Sequence, residues 1–406
     1  MNQELNDILG ELKMNPIFKM SLGSKELFHS NFLAWLAENS LAFNQAILDF
    51  LGRKSCCIQS TTIYREKEHI DLWLEYEIQE DKNTKIVKVF VENKVKSLPY
   101  RSQLDSYAEN QESAKKENIE NHYILLSLYK PSFVDHNNCY VSELENDKSV
   151  KWHYLSYAEL ADRLTNSVVG EFEDNDYAAL IIDDYIKFIH ELNSLGDDIR
   201  KSVKKTFFLS HSDPDWDMFH GIRMGDFYEK LRYAILAEHL YDELVNKQGY
   251  KNVIMGVNPG TCQDNELGNN YQDAIYIDTG MSHTNGLIDV KIILNPKHPQ
   301  SRKVIGIQIQ DGQLRRLVET NAKDKAIDVV KGKTIIKDWF IGNGGNFNAG
   351  PNVKKNIDGE ESRYHSFKES FVYRREEMQT YSLDDLISRI IKEINEIQNI
   401  KEYVLS

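Results

Sequence analysis

Apolar and polar positions follow two rhythms along this 406-residue chain. In residues 24–39, SKELFHSNFLAWLAEN, apolar side chains fall at 27, 28, 32, 35 and 36. That is the stripe of a helix, with Ser24 as its N-cap. A second helix is expected over 41–51. The rhythm then shortens to two, and strands are expected at about 61–78 and 85–95. Pro99 breaks the chain before a helix from about 100. HYILLSLY (122–129) reads as a short buried strand, WHYLSYAELADRL as a strand followed by a helix near Tyr157, and residues 177–195 as a strong amphipathic helix. GDDIRKSVKK (196–205) reads as an inter-domain connection. Beyond it the pattern predicts a long helix over 224–247 and strands at 273–278, 287–294, 303–310, 333–340 and 370–376. An amphipathic helix over 383–400 closes the chain.

The pair EHIDLWLEYEI (68–78) and KIVKVFVENK (85–94) carries the most information. Folded as an antiparallel hairpin centred between Asp81 and Lys82, it opposes Trp73 to Phe90, Glu75 to Lys88, Leu72 to Val91 and Leu74 to Val89. Aromatic meets aromatic, acid meets base, and one face is apolar throughout, all favourable cross-strand pairings. A slip of one residue would scramble both faces. In this register Asp71 opposes Glu92, and Lys94, two residues on, points the same way.

Length and composition set the surroundings. A chain of 406 residues predicts two domains, and 41% hydrophobic with 28% charged residues is ordinary for a globular protein. No apolar run reaches the length of a membrane span, so no membrane association is expected. The N-terminal segment is charged and lacks an apolar h-region, so no signal peptide is expected. The four cysteines lack zinc-site spacing. A reduced, cytoplasmic location is the simplest reading.

The net charge of −14 is awkward for a nucleic-acid binder, but it is unevenly spread. Residues 1–200 carry 21 Lys/Arg against 34 Asp/Glu, whereas residues 201–406 carry 28 against 29. The second half also holds the basic clusters Lys201/Lys204/Lys205, Arg315/Arg316, Lys331/Lys333/Lys337, Lys354/Lys355 and Arg374/Arg375. These could grip a polyanion or simply be solvated faces.

Two carboxylates facing each other without a cation repel and raise one another's pKa. A hard divalent ion such as Mg²⁺ resolves that conflict through oxygen ligands and retained water. The ion would then assist phosphodiester hydrolysis, with Lys94 orienting water or facing the charge that develops on phosphate. The competing reading is an exposed, charged hairpin end. No P-loop pattern occurs, which argues against an intrinsic ATPase.

These residues resemble the PD-(D/E)xK nuclease superfamily over about residues 20–195, in a mostly uncharacterised bacterial branch. Asp71 matches the family's Asp, Glu92 its second acid and Lys94 its lysine, while Ile70 stands where the name-giving Pro would be. ELFHSNFLAWL, ID, ENKV and the Gln-Leu…Tyr of YRSQLDSY complete the likeness. The resemblance implies an α/β fold with a restriction-endonuclease-like core, a mixed sheet flanked by helices, followed here by a second α+β domain. The domains expected are 1–195 for the nuclease and 205–406 for a C-terminal α+β unit of unknown role, a candidate for nucleic-acid or target recognition.

By the same resemblance Glu26, Asp71 and Glu92 hold the metal, Mg²⁺ with Mn²⁺ as substitute. Asp71, Glu92, Lys94 and Gln103 form the catalytic set. Lys96, Arg101, Arg374 and Arg375 are candidate nucleic-acid contacts. His29, one turn from Glu26, reads as a core histidine before a partner of the site. The expected activity is a metal-dependent DNA endonuclease in bacterial defence or DNA processing, with DNA favoured over RNA. A catalytically silent nuclease-fold binding module and an RNA-cleaving nuclease are the alternatives, and self-association or a partner subunit is left open.

Overall fold

The computed structural model describes the chain apart from residues 1–2, 22–25, 55, 81–82, 96–98, 117, 132, 145–147, 173–175, 208–214, 261–272, 283–284, 297–300, 322–323, 343–346, 349–352, 354, 360–361, 379 and 406. It divides into two compact units, Met1–Ile199 and Arg200–Ser406. Ser24, read as a helix cap, lies outside the described residues.

The first unit opens with four helices, α1 (Gln3–Met14), α2 (Pro16–Ser21), α3 (Glu26–Asn39) and α4 (Leu41–Phe50). A meander follows: β1 (Cys57–Lys67), β2 (Ile70–Glu80) and β3 (Asn83–Lys94). Then come α5 (Arg101–Ser113), β4 (Ile119–Ser127), β5 (Cys139–Glu143), β6 (Ser149–Ser156), α6 (Tyr157–Ser167) and α7 (Asp176–Lys205). The six strands form one mixed sheet in the order β1-β2-β3-β4-β6-β5. The meander is antiparallel, whereas β4 runs parallel to both β3 and β6.

Both faces of the sheet's central strands are buried, and the β3 sequence shows why. Val87, Val89 and Val91 alternate with Phe90, and all four are nearly inaccessible. On one face Leu72, Leu74 and Val91 gather with Leu33 of α3, Phe43 and Ile47 of α4 and Leu160 of α6. On the other, Trp73, Phe90, Tyr123 and Trp152 stand in a row across β2, β3, β4 and β6, with successive ring centroids 5.0, 5.2 and 5.0 Å apart. Leu104 and Ala108 of α5 cover that row. Such aromatic pairs add about 0.5–1.5 kcal/mol each beyond their buried area.

Two expectations need correction here. The strand expected over 61–78 is two strands. Their turn runs through Glu66, Glu68 and His69, all at positive φ, and none is the Gly or Asn that would announce it. The connection expected at 196–205 is helical, the last turns of α7. Leu192, Leu195, Ile199 and Val203 are all buried and continue the apolar stripe through it.

The second unit is α+β. It comprises α8 (Trp216–Gly221), α9 (Gly225–Asp242), β7 (Val253–Met255), β8 (Ile275–Ser282), β9 (Asn285–Ile293), β10 (Lys303–Gln310), β11 (Gln313–Thr320), α10 (Ala326–Gly332), α11 (Thr334–Ile341), β12 (His365–Phe367), β13 (Phe371–Glu377) and α12 (Leu383–Leu405). The sheet order is β12-β13-β11-β10-β9-β8-β7, with only β7 and β8 parallel.

Residues 333–340, expected as a strand, form helix α11. Ile336, Trp339 and Phe340 are buried at helical spacing, and that packing overrides the β-branched composition. Strand β11 escaped the pattern because Arg315 and Arg316 interrupt its apolar run. Its signal was Asp311-Gly312, both at positive φ, the two-residue hairpin turn between β10 and β11.

Candidate active site

The hairpin register is the one its side chains dictate. Leu72 pairs with Val91, Trp73 with Phe90, Leu74 with Val89 and Glu75 with Lys88. One step beyond the Leu72–Val91 pair, Asp71 and Glu92 come together, two residues along their strands from Trp73 and Phe90. Asp71 Oδ2 accepts a hydrogen bond from the Asn93 amide at 2.8 Å. Glu92, only 1% exposed, holds Lys94 Nζ at 2.6 Å through Oε1. Gln103, on the first turn of α5, donates from Nε2 to the same Oε1 at 3.1 Å and to the Tyr107 hydroxyl at 2.8 Å. Glu26 opens α3, and its Oε1 accepts from the Val95 amide at 3.2 Å. Four of the residues singled out in the sequence therefore meet at the end of β3, and Glu26 reaches the same strand end.

Electrostatics at this spot are tense. Burial pushes the Glu92 carboxyl up to about 7, and Asp71 and Glu26 add to the rise while Lys94 opposes it. Burial likewise lifts Asp71, against the Asn93 amide and Lys94, with Glu26 and Glu66 adding to the rise. Burial alone would depress the Lys94 ammonium, but Glu92, Asp71 and Glu26 outweigh it and hold its pKa above the ordinary value. Lys94 is thus a cation at neutral pH. The second oxygen of Glu92, Oε2, is buried without a hydrogen-bond partner among the described residues.

That orphaned oxygen tests the fit of a divalent ion. A buried carboxylate oxygen without a donor among the described residues, beside a second destabilised carboxylate, has the hard oxygen chemistry that a divalent cation prefers. Asp71 and Glu92 therefore fit such an ion. Among the described residues no group of three or more His, Cys, Asp or Glu side chains is arranged to hold one. A ready-made cage of Glu26, Asp71 and Glu92 is accordingly not assembled, and water or phosphate oxygens would complete the shell.

The remaining predicted residues scatter. Lys96 lies outside the described residues. Arg101 is exposed at the start of α5, its guanidinium 5.5 Å from the Phe133 ring centroid. Arg374 is only 3% exposed and donates to the backbone carbonyls of Arg363 and Phe347, so it serves the interior of the second unit rather than a phosphate-binding surface. Arg375 is part-exposed and pairs with Glu377 at 3.4 Å. Arg316, from another basic cluster, is also buried, bridged to Glu393 and Glu396. His29 is a core residue: burial lowers its pKa to about 3, and Nδ1 lies 2.9 Å from the Tyr185 hydroxyl.

Sequence reasoning missed Asn93 and Tyr157. The signal for Asn93 was present: an amide at the fourth place of the apolar series Val87, Val89, Val91. Tyr157 carries no sequence signal beyond its position at a helix start.

Among the described residues no helix is long and apolar enough to cross a membrane. No curated protein and no solved structure matches the chain. Residues 16–187 match the family model described as the PD-(D/E)XK nuclease superfamily. The segment spans α3, the β1–β3 meander, α5 and β4, and hence every residue of the site. Most of the first unit is thus similar to the PD-(D/E)XK nuclease superfamily.

Proposed function

We propose that the first unit is a divalent-metal-dependent nuclease that hydrolyses the phosphodiester bonds of DNA. The observation that carries this reading is the buried Glu92 carboxylate at the end of β3. One of its oxygens is held by Lys94 and Gln103, and the other, beside Asp71, has no donor among the described residues.

A bound Mg²⁺ or Mn²⁺ supplies a Lewis acid that polarises the phosphodiester and activates water at neutral pH. Asp71 and Glu92 hold that ion in this reading, with Glu26 adding negative charge from α3. Lys94 acts as a cation and hydrogen-bond donor, because the surrounding carboxylates keep it protonated. It faces the negative charge that grows on the phosphate oxygens in the transition state. Gln103 fixes the Glu92 carboxylate, and Tyr107 fixes Gln103.

The second unit chooses or grips the target in this reading. Its near-neutral balance contrasts with the acidic first half, and exposed lysines such as Lys204 and Lys205 present ammonium groups that suit phosphate.

The test is a digestion panel of plasmid, linear duplex, single-stranded DNA and RNA, with Mg²⁺, Mn²⁺ or EDTA. Metal-dependent DNA cleavage is expected. Cleavage confined to RNA would replace the substrate. Cleavage that survives EDTA would overturn the mechanism.

A further inference from the structure

The residue between Glu92 and Lys94 ties three elements to β3. Asn93 is 1% exposed. Its backbone amide donates to Asp71 Oδ2 on β2 at 2.8 Å. Its side chain turns to the opposite face from Glu92 and Lys94. There Nδ2 donates to the Glu26 carbonyl at 2.9 Å and to Ser30 Oγ at 3.1 Å, both on α3. Oδ1 accepts from the Tyr157 hydroxyl at 2.5 Å, at the first residue of α6. Both donors of the amide are used, and its oxygen is engaged.

This is an expensive way to fill a core position. The preceding residues on the same face are Val87, Val89 and Val91, and a fourth apolar residue would pack there without polar partners. A buried amide is tolerated only when its hydrogen bonds are made. Here the side-chain partners come from two separate helices, α3 and α6. The effect falls on α3 at its first turn. Asn93 holds the Glu26 carbonyl, while the Val95 amide holds the Glu26 carboxylate. Glu26 is thus stitched to the strand end on both sides of Lys94.

We propose that Asn93 is a positioning residue of the site, whose side-chain amide clamps the first turn of α3 and so sets Glu26 against Asp71, Glu92 and Lys94. The proposal rests on the nuclease reading for its consequence, but not for its geometry.

Three variants of the full chain test it: Asn93→Leu, Asn93→Asp, and Ser30→Ala combined with Tyr157→Phe. The readouts are Mn²⁺ affinity by titration calorimetry, hydrogen exchange over residues 26–33, and cleavage resolved into kcat and KM. Asn93→Leu and Asn93→Asp both lose the donors to α3. Each is expected to weaken Mn²⁺ binding by about 10–100-fold, the usual cost of losing an outer-shell support. Exchange over 26–33 rises, kcat falls and KM for nucleic acid holds, while excess Mn²⁺ recovers part of kcat. The double variant keeps the bond to the Glu26 carbonyl and falls between these and wild type.

Asn93→Leu with wild-type Mn²⁺ affinity and kcat would overturn the clamp. Should Asn93→Leu fail to fold, wild-type Mn²⁺ affinity in the double variant would overturn it instead. A wild type that binds Mn²⁺ yet cleaves nothing counts against the nuclease reading alone, since affinity and exchange still score the clamp.

Discussion

Glu92 and Lys94 face each other on the same side of β3, Nζ to Oε1 at 2.6 Å, while the other Glu92 oxygen is buried without a partner among the described residues. The pair is therefore only half of an electrostatic solution. Burial pushes the Glu92 carboxyl from 4.5 up to about 7, so the folded protein binds that proton more tightly than the unfolded chain does. The resulting stability is present in full below about pH 4.5 and is lost as pH rises through about 7. Metal-free protein should thus lose stability, relative to Glu92→Gln, as pH rises from 5 to 8. Melting curves in EDTA measure this. Mg²⁺ at pH 8 should restore wild type and leave Glu92→Gln unmoved. A constant difference between the two proteins across the pH range would contradict the assignment.

The aromatic row beneath the site makes a stability prediction. Phe90 is fully buried between Trp73 and Tyr123. Phe90→Ala should cost about 3–5 kcal/mol in urea unfolding, the usual range for an aromatic side chain removed from a core. A loss below about 1 kcal/mol would mean that the row is not the centre of the sheet's packing.

Neighbouring arginines in the second unit should behave oppositely. Arg374→Ala strands the buried Phe347 carbonyl and the part-buried Arg363 carbonyl and should destabilise by about 1–3 kcal/mol. Arg375→Ala should leave stability within about 0.5 kcal/mol. If the second unit grips nucleic acid through Arg375, that variant should weaken binding and flatten the salt dependence by about one charge. Binding isotherms at several salt concentrations check this, and equal effects of the two variants would refute the distinction.

Much of the first unit was legible because cross-strand pairing is overdetermined. Trp73 against Phe90 and Glu75 against Lys88 agree on a single register, and that register brings Asp71 to Glu92. Gln103 and Glu26 could be placed through the family resemblance, on the helices that the pattern predicts after and before the meander. What stayed hidden depends on tertiary partners. The turn at Glu68-His69 uses positive φ without glycine or asparagine. Helix α11 carries strand-like residues that packing holds helical. Arg316 and Arg374 looked like surface charges, because nothing local announces Glu393 or the Phe347 carbonyl as partners. Asn93 stands out only once Glu26, Ser30 and Tyr157 are brought around it.

The most direct measurement is single-turnover cleavage of the DNA substrate by wild type, Lys94→Ala and Asp71→Asn, with metal titration calorimetry on the same three proteins. Wild type should cleave with Mg²⁺ or Mn²⁺ and stop in excess EDTA. Lys94→Ala should bind the ion and the DNA yet lose cleavage by at least about 100-fold, since it removes a donor acting in the transition state. Asp71→Asn should lose cleavage together with metal affinity. Cleavage by Lys94→Ala at the wild-type rate, or undiminished metal binding by Asp71→Asn, would contradict a metal site built on Asp71 and Glu92 with Lys94 as its cation.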